Sequence, residues 1–263
     1  MIKLIACDID GTSVRDDRTM SQRVKDAIIS ATRKGVIFAF STGRMYTSAK
    51  KFSDSFDIDH PIIACNGALI RMSKSKEILS YHPMDKEFYD VAVQLMWDYG
   101  VPFQAYYNDM VVAPKYSPYS SWYSQSFGVD FEITDDINVI KEKQAIKLMA
   151  FEPSERLITI RDAIRKECGD GLKLTISGDN LLDITKGGIS KGYAIKKLAE
   201  LLSIDMSHVM GIGDAANDIE MLETVGFPVA VGNAIEEVKN IAKVVVATNE
   251  EDGVAEAIEK YVI

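Results

Sequence analysis

The 263-residue chain has few of the residues that hold structural metals or form disulfide bonds: it contains three cysteines and three histidines. Cys7, Cys65 and Cys168 are odd in number and have no metal-ligand spacing, so we interpret them as reduced core residues. The histidines are scattered along the chain. A cysteine or histidine metal site is therefore not expected.

Positive charge and long apolar runs are also scarce. The chain has 30 Lys and Arg against 39 Asp and Glu, a net charge of −9, and affinity for nucleic acids or anionic membranes depends mainly on Lys and Arg. No apolar run approaches the ~20 residues of a membrane-spanning helix, and residues 1–3 lead directly into a strand rather than a secretory leader. We expect a cytoplasmic protein with no nucleic-acid or membrane partner. The oligomeric state stays open.

Two acids, Asp8 and Asp10, directly follow a short apolar run at residues 4–7. Alternate side chains of an extended strand share a face, so the two carboxylates point the same way if the chain is still extended there. Like charges this close in a poorly solvated cleft must share a proton, bind a cation or take different chemical roles. The pair is therefore a candidate reaction centre.

A second apolar run, residues 208–212, leads into another glycine-plus-acid turn that contains Gly213, Asp214, Asn217 and Asp218. In an open parallel sheet, ligands gather at the carboxyl ends of the strands. The two acidic strand ends therefore form one candidate metal site.

Groups that suit a phosphate follow further strands. The apolar run at residues 36–40 is typical of a buried strand and is followed by Ser41, Thr42, Gly43 and Arg44. Residues 61–65 end in the same way at Asn66-Gly67, and Lys191 begins a helix, where the N-terminal backbone favours an anion.

The motifs taken together resemble those of the haloacid dehalogenase superfamily, and within it the Cof-like branch of small-molecule phosphatases with a large cap. In chain order they are Asp8-x-Asp10-Gly11-Thr12, Thr42-Gly43-Arg44, Lys191 and Gly213-Asp214-x-x-Asn217-Asp218. The segments at residues 231–234 and 251–254 are also similar to this branch, so the resemblance extends from the first strand to the last helix.

The resemblance implies a role for each residue. Asp8 is expected to be the nucleophile that forms an aspartyl-phosphate, and Asp10 the general acid and base. Mg²⁺ is expected to be bound by Asp8, the Asp10 backbone carbonyl and Asp214. Asp218 is expected to hold these ligands in place without binding the metal itself. The phosphate-binding groups are expected at Ile9 (backbone), Thr42, Gly43, Arg44, Asn66, Lys191 and Asn217.

Three of these assignments have plain alternatives. Without the other motifs, Lys191 would be interpreted as a solvated lysine at the start of a helix. Asn66-Gly67 is also a common hairpin turn sequence. Arg44 could equally pair with a neighbouring acid and brace the site.

The implied function is a Mg²⁺-dependent phosphatase that acts on a small phosphorylated metabolite. A sugar phosphate is the first choice, and a phosphorylated cofactor such as pyridoxal phosphate is the next. A phosphomutase and a non-enzymatic phosphate-metabolite sensor are the alternatives. Dehalogenation is disfavoured because it has no leaving alkoxide that requires Asp10.

The pattern of elements predicts an α/β fold in two parts. Alternating strands and helices at residues 1–82 and 186–263 indicate a doubly wound, Rossmann-like parallel-sheet core. Residues 83–185 predict an inserted α+β cap: helices at 85–99 and 154–167, with strands at 103–107, 110–113, 145–151, 172–176 and 181–184. They suggest an antiparallel sheet covered by two helices. The aromatic-rich stretch 116–123 could line the substrate side of the cap, but packing within the cap is the favoured interpretation. The cap is expected to select the substrate.

Overall fold

The computed structural model describes residues 1–107, 109–114, 131–177 and 180–263. These residues form two compact units: a core unit, Met1–Ser80 with Ser190–Ile263, and a cap unit, Tyr81–Ile189. The sequence places the corresponding boundaries at 82/83 and 185/186. The domain boundaries at 82/83 and 185/186 stay predictions.

The strands and helices of the described residues are numbered in chain order. The strands are β1 (Leu4–Cys7), β2 (Ile37–Ser41), β3 (Pro61–Ala64), β4 (Leu69–Met72), β5 (Ile78–Tyr81), β6 (Phe103–Tyr106), β7 (Val111–Ala113), β8 (Phe131–Ile133), β9 (Lys147–Phe151), β10 (Leu172–Ser177), β11 (Leu181–Lys186), β12 (Val209–Gly213), β13 (Phe227–Ala230) and β14 (Val244–Val245). The helices are α1 (Gln22–Arg33), α2 (Tyr46–Ser53), α3 (Lys86–Asp98), α4 (Ile137–Lys141), α5 (Ser154–Cys168), α6 (Lys191–Leu201), α7 (Ile219–Thr224), α8 (Glu236–Ile241) and α9 (Gly253–Tyr261). Among the described residues, no helix combines the length and apolarity that a bilayer crossing requires.

The core unit is built on a sheet of strand order β14-β13-β12-β1-β2-β3-β4-β5. The six strands from β14 to β3 are parallel, and β4 pairs antiparallel with β3. The chain runs outward from β1 to β3 and later returns to β12 on the other side of β1, so the strand order reverses there. Ligands bind at such a reversal in open α/β sheets. The predicted doubly wound core is confirmed.

Helix α1 shows how local sequence sets the core elements. The Ser21 side chain accepts a hydrogen bond from the Val24 N–H at 3.1 Å and caps the helix. The buried residues recur at helical spacing, and Gly35 with φ of +86° follows the helix end. A polar residue before the periodic run and a glycine after it thus set the two ends of α1.

The cap sheet has strand order β10-β11-β9-β6-β7-β8. Its pairs are antiparallel except β7 with β8, which is parallel. The predicted all-antiparallel sheet is therefore wrong at this edge, and the short helix α4 is additional to the two predicted helices. Three-residue β8 is too short to show a readable alternation in the sequence. The aromatic-rich stretch 116–123 lies outside the described residues, as does Asn108 between the predicted strands 103–107 and 110–113.

The cap core lies between its sheet and two helices, α3 and α5, both of which the sequence predicts. Alternate residues of the central strands, such as Phe103 and Leu148, pack with Tyr89 of α3 and Leu157 of α5 in one buried cluster. The helices therefore cover one face of the cap sheet, and the intervening strand residues point to the other face.

Candidate active site

Asp8 lies where β1 ends, beside the end of β12. Its backbone N–H donates to the Ile212 carbonyl at 3.0 Å, and its side chain is 6% exposed. The chain then turns tightly through Ile9–Ser13, where Gly11 has φ of +73°. A Cβ at Gly11 would lie 2.5 Å from an Asp214 carboxylate oxygen, so the close approach of the two acidic turns requires glycine.

Lys191, the first residue of α6, lies between two acids. Its Nζ donates to Asp8 Oδ1 at 2.8 Å and to Asp218 Oδ1 at 2.7 Å. Lys191 is 1% exposed and Asp218 is fully buried, which excludes the solvated lysine that the sequence left open. The structure brings the first, third and fourth motifs together at this lysine.

Asp218 also holds the turn that presents Asp214. Its Oδ2 accepts hydrogen bonds from the backbone N–H groups of Asp214, at 3.0 Å, and Ala215, at 3.1 Å. Thr12 Oγ1 donates to Asp214 Oδ1 at 2.6 Å. Both oxygens of Asp218 are thus occupied by protein donors, whereas Asp214 is partly exposed.

Ligand atoms of Asp8, Asp214 and Asp218 lie within 4.8 Å of one another, a geometry that can hold a metal ion. Burial raises the pKa of Asp8 well above its usual value, and the Lys191 charge opposes this rise. Burial also raises the pKa of Asp214, to about 6, against the Thr12 hydrogen bond. Burial disfavours the charge on Lys191, but Asp218 and Asp8 outweigh it and raise the lysine pKa. The site therefore places the carboxyl groups of Asp8, Asp214 and Asp218 close to one another and close to the buried Lys191 ammonium group.

Asp10 lies on the open side of the site and pairs with Arg44. Arg44 Nε donates to Asp10 Oδ2 at 2.6 Å, and Nη2 donates to Oδ1. The Asp10 side chain is 51% exposed, and that of Arg44 is 8% exposed. Arg44 Nη1 also donates to Ser48 Oγ at 3.3 Å, and the guanidinium lies 4.9 Å from the Phe52 ring centroid. Arg44 thus adopts the bracing alternative left open by the sequence.

The remaining predicted residues, Thr42 and Gly43 after β2, Asn66 after β3 and Asn217 after β12, lie together. The Asn66 N–H donates to the Thr42 carbonyl at 3.0 Å, and Thr42 Oγ1 accepts from the Arg44 N–H at 3.1 Å. Asn217 Nδ2 donates to Asn66 Oδ1 at 3.2 Å. A Cβ at Gly43 would lie 3.0 Å from Asn66 Oδ1. Asn66 forms the predicted turn between β3 and β4 and also joins this group.

The sequence missed several supporting residues. Thr12 was part of the first motif but had no assigned role, although its position after Gly11 was a usable signal. Asn233 Nδ2 donates to the Gly11 carbonyl at 2.7 Å, and Ser48 and Phe52 hold Arg44. These contacts join segments distant in sequence or depend on side-chain direction, so no local pattern identifies them.

Comparisons with known proteins give the family. A family model described as haloacid dehalogenase-like hydrolase matches residues 5–258. Putative phosphatase YxeH of Bacillus subtilis (strain 168) is 30% identical, with 100% of this chain and 99% of the relative covered. The 5-amino-6-(5-phospho-D-ribitylamino)uracil phosphatase YcsE of the same strain is 31% identical, with 100% and 96% covered. The crystal structure of a haloacid dehalogenase-like hydrolase from Bacteroides thetaiotaomicron is similar with a TM-score of 0.91 at 25% identity, with 99% of each chain covered.

The chain therefore belongs to the haloacid dehalogenase-like hydrolases. The predicted family and enzyme class, a hydrolase of the phosphatase type, are confirmed.

Proposed function

We propose that this protein is a Mg²⁺-dependent phosphatase that hydrolyses a small phosphate monoester through an aspartyl-phosphate at Asp8. The observation that carries the proposal is the buried Asp8 carboxylate held by Lys191 at 2.8 Å, at the point where strand order reverses. A nucleophile must be fixed and ionised to attack phosphorus, and the lysine favours both conditions.

The donor set fits Mg²⁺, which prefers oxygen ligands. We assign the carboxylates of Asp8 and Asp214 and the backbone carbonyl of Asp10 as its ligands. Asp218 belongs to the same acidic cluster, but its oxygens already accept from Lys191 and from two backbone N–H groups. Its role is to orient Asp214. Bound Mg²⁺ would draw negative charge from the phosphoryl oxygens.

The chemistry proceeds in two steps. An Asp8 carboxylate oxygen attacks phosphorus, the bond from phosphorus to the ester oxygen breaks, and Asp10 donates a proton to the departing alkoxide. Asp10 then takes a proton from a water whose oxygen attacks the same phosphorus. The bond to Asp8 breaks, and inorganic phosphate leaves. The pair with Arg44 supports a role for that arginine in orienting Asp10.

The phosphoryl oxygens have several candidate donors. We propose that the backbone at Ile9, the Lys191 ammonium and the Asn217 amide bind them, since charge spreads over these oxygens in the transition state. Thr42, Gly43 and Asn66 lie in the same hydrogen-bonded group as Asn217. They complete the phosphate site in this proposal.

A sugar phosphate remains the first choice of substrate, ahead of a phosphorylated cofactor such as pyridoxal phosphate. Support comes from the relative YcsE, whose named substrate carries a 5-phosphoribityl group. A phosphorylated polyhydroxy chain is thus accepted by a protein 31% identical to this one over the whole chain.

The test is Asp8→Asn, which changes the size of the side chain little but cannot form an acyl phosphate. We expect phosphate release from 4-nitrophenyl phosphate to fall by at least about 10³-fold, with an unchanged circular dichroism spectrum. Asp54→Asn is the matched control, because Asp54 pairs with Lys50 on the exposed surface of the core unit. Near-wild-type turnover by Asp8→Asn would refute the mechanism.

A further inference from the structure

Two segments that the sequence singles out, residues 231–234 and 251–254, take no part in the proposed two-step chemistry. Both lie in the core unit. The first forms the turn after β13, and the second includes the start of α9. Asn233 and Asn249, which lie in or next to these segments, donate hydrogen bonds to the turn that follows β1. We define these two residues as the asparagine clamp.

The asparagine clamp holds the turn after β1 at two carbonyl groups. Asn233 Nδ2 donates to the Gly11 carbonyl at 2.7 Å, and Asn249 Nδ2 donates to the Val14 carbonyl at 3.1 Å. The Asn249 N–H also donates to Asn233 Oδ1 at 2.9 Å, so exposed Asn233 uses both halves of its amide. Asn249 is 7% exposed. The turn is thus fixed by residues 222 and 235 positions further along the chain.

The loop that carries Asn249 is itself held closed. Thr248 Oγ1 donates to Glu251 Oε2 at 3.0 Å, and the Gly253 N–H donates to the Thr248 carbonyl at 3.0 Å. A Cβ at Gly253 would lie 2.0 Å from the Ala247 carbonyl oxygen, so this close approach requires glycine. The second segment therefore presents Asn249 to the turn after β1.

The clamped turn lies against Asp214. Thr12 Oγ1 donates to Asp214 Oδ1 at 2.6 Å, and a Cβ at Gly11 would lie 2.5 Å from Asp214 Oδ2. The Ile235 N–H donates to the Asp214 carbonyl at 3.0 Å, so the turn after β13 contacts both acidic turns. A shift of the peptide between Gly11 and Thr12 would therefore displace the Asp214 carboxylate.

We propose that the asparagine clamp positions the metal-binding groups of the candidate active site, and that Asn233 is a positioning residue for Mg²⁺. This inference rests on the proposed function, in which Asp214 and the Asp10 backbone carbonyl are metal ligands. Asn233 acts through the peptide between Gly11 and Thr12, because Gly11 follows Asp10 and Thr12 holds Asp214. Removing a group that orients metal ligands typically lowers metal affinity by about 10–100-fold.

The first measurement is metal binding without substrate, by isothermal titration calorimetry. Mg²⁺ demands near-ideal octahedral geometry, whereas Ca²⁺ accepts flexible arrangements of oxygen ligands. Loosening the ligands should therefore weaken Mg²⁺ binding more than Ca²⁺ binding. We expect Asn233→Ala to raise the Mg²⁺ Kd by about 10-fold and the Ca²⁺ Kd much less. An unchanged Mg²⁺ Kd, or equal increases in the two Kd values, would overturn the inference.

The second measurement separates metal positioning from the chemical step. Asn233→Ala should need about 10-fold more Mg²⁺ for half-maximal hydrolysis of 4-nitrophenyl phosphate, with kcat near wild type at saturating Mg²⁺. A loss that persists in full at saturating Mg²⁺ would overturn the inference. Gln22→Ala is the matched control, because Gln22 is also an exposed amide of the core unit and donates to Asp26 Oδ1 at 2.9 Å. It should leave both Kd values unchanged.

Thr12→Val tests the route from the clamp to the metal. Valine keeps the shape of threonine but cannot donate to Asp214, so this variant should show the same selective loss of Mg²⁺ affinity. Residues that act through one contact are not additive. Asn233→Ala should therefore cost less Mg²⁺ affinity in the Thr12→Val background than in the wild type, and full additivity would overturn the inference. If Asn233→Ala fails to fold, a wild-type ratio of the two Kd values in Thr12→Val would overturn it.

The outcomes distinguish this inference from the proposed function. If the wild type binds Mg²⁺ and hydrolyses the aryl phosphate while the folded variants keep its metal selectivity, the role of the clamp is refuted and the proposed function stands. If the wild type neither binds Mg²⁺ nor hydrolyses a phosphate ester, the proposed function is refuted and the inference falls with it.

Discussion

Lys191→Met isolates the contribution of the buried ion pairs at the candidate active site. The substitution keeps an unbranched apolar stem of similar length but removes the Nζ bonds to Asp8 and Asp218, at 2.8 and 2.7 Å. All three residues are at most 4% exposed. Removing one partner from a buried ion pair typically costs 3–5 kcal/mol because a charge is left uncompensated. We expect a loss of unfolding free energy of about 3–5 kcal/mol at pH 8 without metal.

The pH dependence of this loss has a defined sign. Burial raises the pKa of Asp8 in the wild type, and the Lys191 charge is the largest opposing effect. Without Lys191 the folded-state pKa rises further above the unfolded value. A carboxyl whose pKa is raised by folding stabilises the fold at low pH, and that contribution is lost as the pH rises through the folded pKa. The variant should therefore be closer to wild type at pH 5 than at pH 8.

Urea unfolding in EDTA at pH 5 and pH 8 measures both effects. Lys197→Met is the matched control on the same helix, because Lys197 pairs with Glu200 at 3.0 Å on the exposed surface, where pairs contribute about 0–1 kcal/mol. A Lys191→Met protein as stable as the control at pH 8 would refute the reasoning. So would a loss that is larger at pH 5.

The remaining predictions concern the second acid, the metal and a buried histidine. Asp10→Asn should lower kcat/KM, which reports the steps up to departure of the alcohol, by about 10²–10⁴-fold for alkyl phosphates and much less for 4-nitrophenyl phosphate, because nitrophenolate leaves without a proton; an equal loss of kcat/KM on both esters would contradict the acid role. Chelation should abolish phosphate release and Mg²⁺ should restore it, with Ca²⁺ a poor substitute because of its larger size and looser geometry; full activity in EDTA would exclude the metal assignment. His60 is 4% exposed, and burial lowers its pKa from 6.5 to about 4, so the stabilisation from its neutral form should be complete above pH 6.5 and fall by up to about 3 kcal/mol as the pH approaches 4. His60→Phe should remove that part of the slope of the urea midpoint against pH, and an unchanged slope would show that His60 is not its source.

The location of the candidate site could be predicted because it depends on strand ends. Asp8 and Asp214 each follow an apolar run of strand length, and parallel strands bring their carboxyl ends to one edge of the sheet. The register of β1 with β12 makes the two turns neighbours. The roles of these residues stay predictions, but their proximity follows from patterns that are local in the sequence.

Side-chain partners could not be predicted in the same way. The sequence gives no indication that Lys191 lies between Asp8 and Asp218, since the residues are 183 and 27 positions apart from it. Arg44 had two open roles, and the pair with Asp10 depends on which rotamer Ser48 and Phe52 permit. Such contacts depend on three-dimensional packing of several elements, which periodicity alone does not determine.

The cap unit shows even more strongly that the surroundings of a side chain do not follow from local sequence patterns. Alternation correctly separates Phe103 from Gln104 as residues of opposite faces, and by that rule alone Gln104 and Lys147 would be solvated. Both residues are buried instead: Lys147 pairs with Asp183, and the Gln104 Nε2 has no hydrogen-bond partner among the residues that the structure describes. Local rules fail most informatively where polar groups are buried, because such sites tend to have a function.

Formal charge at the candidate site links metal binding to substrate binding. Ionised Asp8, Asp214 and Asp218 carry three negative charges against one positive charge on Lys191, which leaves two negative charges near the nucleophile. Arg44 is paired with Asp10 and offsets none of this excess. A phosphate monoester dianion entering that field would be repelled, and at short range in a poorly solvated site this repulsion amounts to several kcal/mol. A divalent cation on Asp8 and Asp214 would cancel the excess. Under the proposed function, a metal that helps to keep this acidic pair ionised would therefore also be a condition for binding the substrate phosphate.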